Sequence, residues 1–213
     1  MRSKGFLVRV WTNKKMSEEV LSLIPRRSVV NLGIGLPSLV ADINQNKELV
    51  LHSENGVLGV SGRPQKGTAS HNIINAAKET INISKGASFF DSALSFSMIR
   101  GGHVDVSVLG GMQVDVQGSI ANWKIPGKKI TGMGGAMDLV NGPKLVIVMM
   151  KHFNKTSEKL VPECSLPLTG KNCVDYIVTD CGVFKPCNNK FKIIKICDVE
   201  KFMNKVQQEL YIE

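Results

Sequence analysis

Within residues 51–59, LHSENGVLG, an apolar run ends in one carboxylate, Glu54, set among the turn-forming residues Ser53, Asn55 and Gly56. For an isolated glutamate a solvated turn accounts for such a pattern. The rest of the chain supplies company for it. Residues 31–37 (NLGIGLP) and 110–115 (GGMQVD) also close apolar runs, and 131–138 (TGMGGAMD) form a glycine-rich loop just ahead of the run at 144–150. Glycines at such points let backbone amides approach a ligand closely. The residue types thus offer a single carboxylate and a set of amide donors. Metal chemistry is not expected, because Cys164, Cys173, Cys181, Cys187 and Cys197 are odd in number, form no C-x-x-C pair and match no zinc spacing. They read as reduced thiols, mostly buried.

The elements that must carry these residues follow from apolar patterning. Runs rich in Val, Ile and Leu at RSVVNLGIG, ELVLHSE, HVDVSVLGG, KLVIVMM, CVDYIVTD and FKIIKI predict strands. Ser17 with Glu18 and Glu19 suits a helix start, Pro37 suits the first turn of a helix reaching about residue 44, and a further helix is expected over about 91–100. A last helix is expected from 199 to about 210. Strands that are apolar along their whole length, alternating with helices, imply an α/β fold: one open, mostly parallel sheet with helices on both faces. In such sheets ligands bind beyond the carboxyl ends of the strands, where NLGIGLP, SENG and GGMQVD would lie. No repeat or low-complexity linker divides the chain. It reads as a basic arm or targeting segment at 1–16 followed by one domain at 17–213.

The chain has 213 residues, 43% hydrophobic and 21% charged, ordinary values for a soluble globular protein. No apolar run approaches the roughly 18 residues that a membrane-spanning helix needs. The net charge of +9 invites a nucleic-acid reading, but residues 1–30 alone hold seven Lys/Arg against two Glu, while 31–184 hold fourteen basic against twelve acidic residues. With no basic stripe interleaved with aromatics, neither nucleic acid nor membrane is an expected partner. The basic start, MRSKGFLVRVWTNKK, leaves the cytoplasm and the mitochondrial matrix both open.

Together, NLGIGLP, SENG, IRGGHVD, NWKIPGK and GMGGAMDLV resemble the β subunit of class I CoA-transferases, of the 3-oxoacid (succinyl-CoA:acetoacetate) and acetate/acetoacetate types. The resemblance runs from about residue 31 to 196, includes LPLTGKNCVDYIVTD at 166–180, and is densest over 99–140. It implies that Glu54 is a nucleophile. A carboxylate is weak in that role in water but serves when positioned and desolvated. Glu54 would attack an acyl-CoA, and CoA would then be carried as a glutamyl thioester. The resemblance also implies oxyanion donors at the Gly135 amide and the Asn31 side chain, with Gly33, Gly35, Gly132 and Gly134 shaping the cleft. Lys78 would meet the phosphates of CoA, with Lys128 and Lys129 as alternatives. For Asn31 a cap or turn role, for the glycines plain turn geometry, and for His103 and Trp123 structural roles stand as the competing readings.

The resemblance further implies no permanently bound cofactor, coenzyme A as substrate together with a small carboxylic acid, and an α subunit in a heteromer such as α2β2. Since no α half precedes residue 1, the chain alone is expected to be inactive. The family pattern is broken at Lys151, where an acid is usual before His152, and in the loop GVLGVSGRPQKGTASHN after SENG. Two readings compete: a catalytically silent subunit, and a dinucleotide-binding oxidoreductase, for which GIGLPS lacks the third glycine. A CoA-ester hydrolase is a milder variant.

Overall fold

The computed structural model describes residues 10–44, 48–127, 130, 132–155, 157–197 and 210–212. In chain order the elements begin with α1 (Asn13–Leu23), β1 (Val29–Leu32), a 3-10 turn (Leu36–Ser38), α2 (Leu39–Ile43), β2 (Val50–Ser53), β3 (Val57–Val60) and β4 (Ile83–Phe89). Next come α3 (Ser92–Arg100), β5 (Val106–Leu109), β6 (Gln113–Asp115), β7 (Ile120–Ala121), α4 (Ala136–Leu139), β8 (Leu145–Met150) and β9 (Leu160–Val161). β10 (Tyr176–Thr179), β11 (Gly182–Cys187), β12 (Lys190–Ile196) and β13 (Leu210–Ile212) complete the described set.

Ten of these strands form one sheet in the order β13-β12-β11-β10-β8-β5-β1-β2-β3-β4. Its centre, β2-β1-β5-β8-β10, is parallel throughout. These are the continuously apolar runs of the sequence, and both of their faces are covered. Along β8 the alternation divides the core: Val146, Val148 and Met150 join Ile99 of α3 and Leu139 of α4 on one face. Ile147 and Met149 join Met16 and Val20 of α1 and Val40 of α2 on the other. Helices therefore do lie on both faces, as continuous apolar strands require.

Outside that centre the β10-β11-β12 and β2-β3-β4 pairings are antiparallel, which the apolar runs do not announce, and the edge strand β13 pairs parallel with β12. At one margin β11 and β12 are joined by Asn188 and Asn189 alone, with φ of 51° and 57°, the left-handed pair of a tight two-residue hairpin. At the other, β2 turns into β3 through residues 54–56, so the SENG segment is itself a hairpin loop. A small second sheet, β7-β6-β9, shares no strand pairing with the main one, and its Val114, Ile120 and Leu160 pack into the same core layer as Val146, Val148 and Met150 of β8.

The first helix begins four residues before the expected Ser17. Thr12 caps it, its hydroxyl accepting from the Lys15 amide at 3.1 Å, and Glu19 sits within it, buried, with its carboxylate 2.7 Å from Lys15 Nζ and 2.6 Å from Lys195 Nζ. Of the two acids that suit a helix start, Glu19 instead ties α1 to β12, while Glu18 pairs with Lys15 within the helix. The expected α3 appears with Asp91 as its cap, accepting from the Leu94 amide at 2.8 Å. The expected helix over 199 to about 210 lies outside the described residues except for Leu210, which is in β13. Of the five cysteines only Cys181 is fully buried; the others are half-buried, and none is in a disulfide. Burial pushes the Cys164 thiol up to about 12 and the Cys173 thiol up to about 11, so neither forms a thiolate readily.

Candidate active site

Glu54 leaves the sheet at the carboxyl end of β2. Beside it, Asn31 of β1 pairs in register with His52, so that two adjacent parallel strands deliver an amide and a carboxylate to the same point. Asn31 Nδ2 donates to Glu54 Oε2 at 3.1 Å and lies 3.1 Å from His52 Nδ1. His52 Nε2 in turn lies 3.0 Å from the hydroxyl of Ser95 on α3. Asn31, His52 and Ser95 are all buried, and the imidazole stacks near Phe90 with ring planes 12° apart.

The turn itself is held by backbone. Gly56, at φ 113°, donates to Ser53 O at 3.0 Å and accepts from the Phe90 amide at 3.0 Å. Ser53 and Asn55 anchor the following loop: the Ala76 amide donates to Ser53 Oγ at 3.0 Å, and Asn55 Nδ2 donates to Ile74 O at 2.8 Å.

Glu54 faces a cavity of about 400 Å³ lined by Gly33, Leu109, Gly110, Met112, Asn122, Gly132, Gly134 and Gly135, among others. The three glycine-bearing segments of the sequence thus converge on one carboxylate. Gly33 is packed against the Val108 carbonyl, where an added Cβ would stand 3.0 Å from the oxygen. Gly135 caps α4, and a Cβ there would reach within 3.6 Å of Glu54 Cγ and 2.8 Å of Phe96 Cζ. Only a glycine brings its backbone this close to the glutamate without displacing Phe96. Among the described residues nothing accepts from the Gly135 amide. Gly111, which carries no separate signal in the sequence, also lines the cavity, and its carbonyl accepts from Lys159 Nζ at 2.6 Å. Burial depresses the ionisation of that lysine, partly countered by Asp180.

Other expected residues stand elsewhere. Gly35, at φ 86°, shapes the entry to the 3-10 turn and does not line the cavity. Lys78 is exposed on the 75–79 turn, at φ 63°, and reaches the site's neighbourhood only through that loop's anchorage on Ser53 and Asn55. Lys128 and Lys129 lie outside the described residues. His103 is exposed and does not line the cavity, while Trp123 Nε1 donates to Leu168 O at 3.2 Å, in keeping with a structural role for the tryptophan. Lys151 stands 3.1 Å from Asn13 Oδ1 and 3.5 Å from Asp180 Oδ2, so its partners come from α1 and the end of β10. Buried His152 has Glu158 Oε1 at 2.8 Å and Thr179 Oγ1 at 3.0 Å, away from the cavity. No group of three His, Cys, Asp or Glu among the described residues is arranged to hold a metal. Among the same residues no helix is long and apolar enough to cross a membrane.

His52 does not stand out in the sequence, although it lies two residues before Glu54. Burial alone lowers its imidazole from 6.5 to about 4, so it is neutral at physiological pH. The unfolded chain takes up this proton near pH 6.5 and the folded one only near 4, so the unfolded state binds more protons in between. Stability from this group is complete above about pH 6.5 and falls as the pH drops towards 4, by up to about 3 kcal/mol. Urea unfolding between pH 7.5 and 4.5 should show this loss, and a His52→Asn chain should have the flatter profile. Equal slopes in the two chains would mean that His52 does not titrate in this way.

Residues 14–200 match the family described as Coenzyme A transferase. Over 168 residues the chain is 55% identical to the B subunit of the succinyl-CoA:3-ketoacid coenzyme A transferase of Helicobacter pylori, covering 78% of this chain and 81% of that one. It is 47% identical over 185 residues to the B subunit of the 3-oxoadipate CoA-transferase of Pseudomonas putida, covering 86% and 87%. A solved acyl-CoA transferase of Escherichia coli O157:H7 superposes with a TM-score of 0.75 at 18% identity, over 98% of this chain. The chain spans 43% of the length of that larger protein, and at this identity the likeness concerns the fold.

Proposed function

The chain belongs to the coenzyme A transferase family, as a CoA-transferase of the β-subunit type, and on that premise we propose that Glu54 is the nucleophile of its reaction. The observation that carries the proposal is the placing of a carboxylate under an amide donor, with Asn31 Nδ2 3.1 Å from Glu54 Oε2, at the edge of a cavity lined by glycines.

In the proposed reaction Glu54 attacks the thioester carbonyl of the donor acyl-CoA, forming an acyl-glutamyl anhydride and releasing CoA as thiolate. The thiolate attacks the glutamyl carbonyl of the anhydride, which leaves CoA bound to Glu54 as a thioester and frees the donor's carboxylate. The acceptor carboxylate then attacks the glutamyl thioester, and the same two steps run in reverse to give the new acyl-CoA. No metal is consumed or required, since every intermediate keeps an acyl group activated. Each attack passes through a tetrahedral oxyanion, and preorganised donors are the largest source of stabilisation for such charges. The Gly135 amide and the Asn31 side chain are the proposed donors. Gly33, Gly132 and Gly134 allow the backbone to close around the reacting carbonyl, and Gly35 sets the course of the segment leading from it.

The proposed donor is succinyl-CoA and the acceptor a 3-oxo acid such as acetoacetate, a choice supported by the 3-oxo acids named for the relatives in H. pylori and P. putida. Lys78, on a loop fastened to the SENG turn, is proposed to meet the phosphates of coenzyme A. Binding at that distance can be used to lower the barrier at the thioester. An α subunit is the proposed partner, which finds support in both relatives being B subunits. The exposed apolar side chains around the cavity, Ile34 (63% exposed), Met133 (38%) and Met137 (37%), suit a surface that a second polypeptide covers. The proposed setting is the cytoplasm, or a mitochondrial matrix given the basic first thirty residues.

The test is kinetic. The chain co-expressed with a family α subunit should transfer CoA with parallel double-reciprocal lines for acyl-CoA and acceptor, and the chain alone should be inactive. Full activity without a second polypeptide would refute the heteromer. Release of free CoA at the same rate with no acceptor present would replace transfer by hydrolysis.

A further inference from the structure

Asn31 uses both hydrogens of its side-chain amide. One points to Glu54 Oε2 and one to His52 Nδ1, each across 3.1 Å, while Asn31 Oδ1 is buried without a hydrogen-bond partner. An unsatisfied buried carbonyl is unfavourable, so an amide free to choose would not adopt this orientation for its own sake. The reverse orientation is worse. It would set Oδ1 against a carboxylate oxygen and against the lone pair of His52 Nδ1. That second conflict exists only while Nδ1 carries no proton, and the hydroxyl of Ser95, 3.0 Å from Nε2, offers the acceptor that keeps the proton on Nε2.

We propose that His52 is a positioning residue for the transfer reaction: held by Ser95 as the Nε2–H tautomer, its Nδ1 orients the Asn31 amide so that the amide donates to Glu54 and to the oxyanions formed there. This rests on the reading of Glu54 as nucleophile and Asn31 as donor. The imidazole itself does not touch the substrate. It lies behind Asn31, stacked near Phe90 and buried, and is absent from the residues lining the cavity. His52 is also unsuited to moving protons during turnover, because its burial keeps it neutral over the physiological range. What it supplies is a fixed lone pair. The device needs three elements in register: β1 for Asn31, β2 for His52 and α3 for Ser95, with the Gly56–Phe90 crossing setting the start of α3.

The proposal has two independent readouts. Histidine-labelled full-length chain, with His52 assigned by the spectrum of His52→Asn, should show a protonated Nε2 and a pyridine-type Nδ1 near neutral pH. A proton on Nδ1 would overturn the proposal whatever the catalytic outcome. In the complex with the α subunit, His52→Leu, which keeps the bulk and removes the lone pair, should lower kcat by about 10- to 100-fold with KM for acyl-CoA nearly unchanged. That is the loss expected when one oxyanion donor is misdirected. His52→Asn, whose Oδ1 can replace the Nδ1 acceptor, should recover most of it. In an Asn31→Ala background, His52→Leu should cost less than about twofold further, because the two residues act through one contact.

An equal loss in both backgrounds would mean that His52 serves the fold rather than the amide, and would overturn the proposal. The unsubstituted complex separates the two levels. Transfer without modification of Glu54 overturns the nucleophile reading and this proposal with it, whereas a modified Glu54 without coupling between His52 and Asn31 overturns this proposal alone.

Discussion

Replacing Glu54 by glutamine is expected to abolish CoA transfer while leaving the fold and CoA binding in place. The side chains are isosteric, and the glutamine carbonyl can still accept from Asn31 Nδ2, which stands 3.1 Å from Oε2 in the native chain. Glu54 is half-buried at a strand end and contributes little to either core layer. What the amide lacks is the anionic oxygen that the proposed mechanism directs at the thioester. Removing a covalent nucleophile should lower kcat by about 10⁴-fold or more. The free energy of unfolding in urea should change by less than about 1 kcal/mol, the usual effect of a substitution outside the core. Steady-state transfer and equilibrium binding of acyl-CoA, measured on the same complex, check both halves. A residual rate within tenfold of the native one would remove Glu54 from the chemistry.

A second substitution with a large expected effect is Gly56→Ala, and it acts on the backbone. At φ 113° an alanine is strained, and its Cβ would overlap the carbonyl oxygen of Phe90. That oxygen belongs to main chain and cannot swing aside as a side chain end could. The two strands of the crossing must separate, breaking the Phe90-to-Gly56 hydrogen bond of 3.0 Å. Strain of about 1–3 kcal/mol and overpacking of a similar size together predict a loss of about 2–6 kcal/mol. Since Asp91, the next residue, caps α3, the shift also moves Ser95 and Phe96, and with them the supports of His52 and Gly135. Unfolding and activity should fall together in this variant, in contrast to Glu54→Gln. An alanine variant with native stability would mean that the turn has another conformation.

The parallel centre of the sheet was legible in the sequence because strands buried on both faces must be apolar along their whole length. VVNL, VLHS, VSVL, LVIVMM and YIVT stand out for that reason. Their carboxyl ends, and hence the meeting of Asn31 with Glu54, followed from the parallel arrangement. The small sheet of β6, β7 and β9 was not legible: strands of two or three residues leave no period to detect. The β11–β12 hairpin carried a signal in Asn188–Asn189, but lysines and a proline interrupt its strands. The start of α1 was misplaced because Glu18 and Glu19 look like first-turn acids, whereas Glu19 is committed to Lys195, 176 positions away. His52 is inconspicuous in the sequence for a related reason. A histidine inside an apolar run is uninformative until tertiary contacts supply Asn31 on one side and Ser95 on the other.

If CoA travels on Glu54, that residue carries it covalently during turnover, where it can be trapped. The complex with an α subunit is mixed with acetoacetyl-CoA or succinyl-CoA, then trapped with borohydride, which reduces the thioester, or with hydroxylamine, which converts it to a hydroxamate. Peptide mass spectrometry locates the change. A single modification on Glu54, dependent on acyl-CoA and absent from Glu54→Gln, is the expected result. A complex that transfers CoA while Glu54 stays unmodified would contradict the claim and leave SENG as a turn without its chemistry.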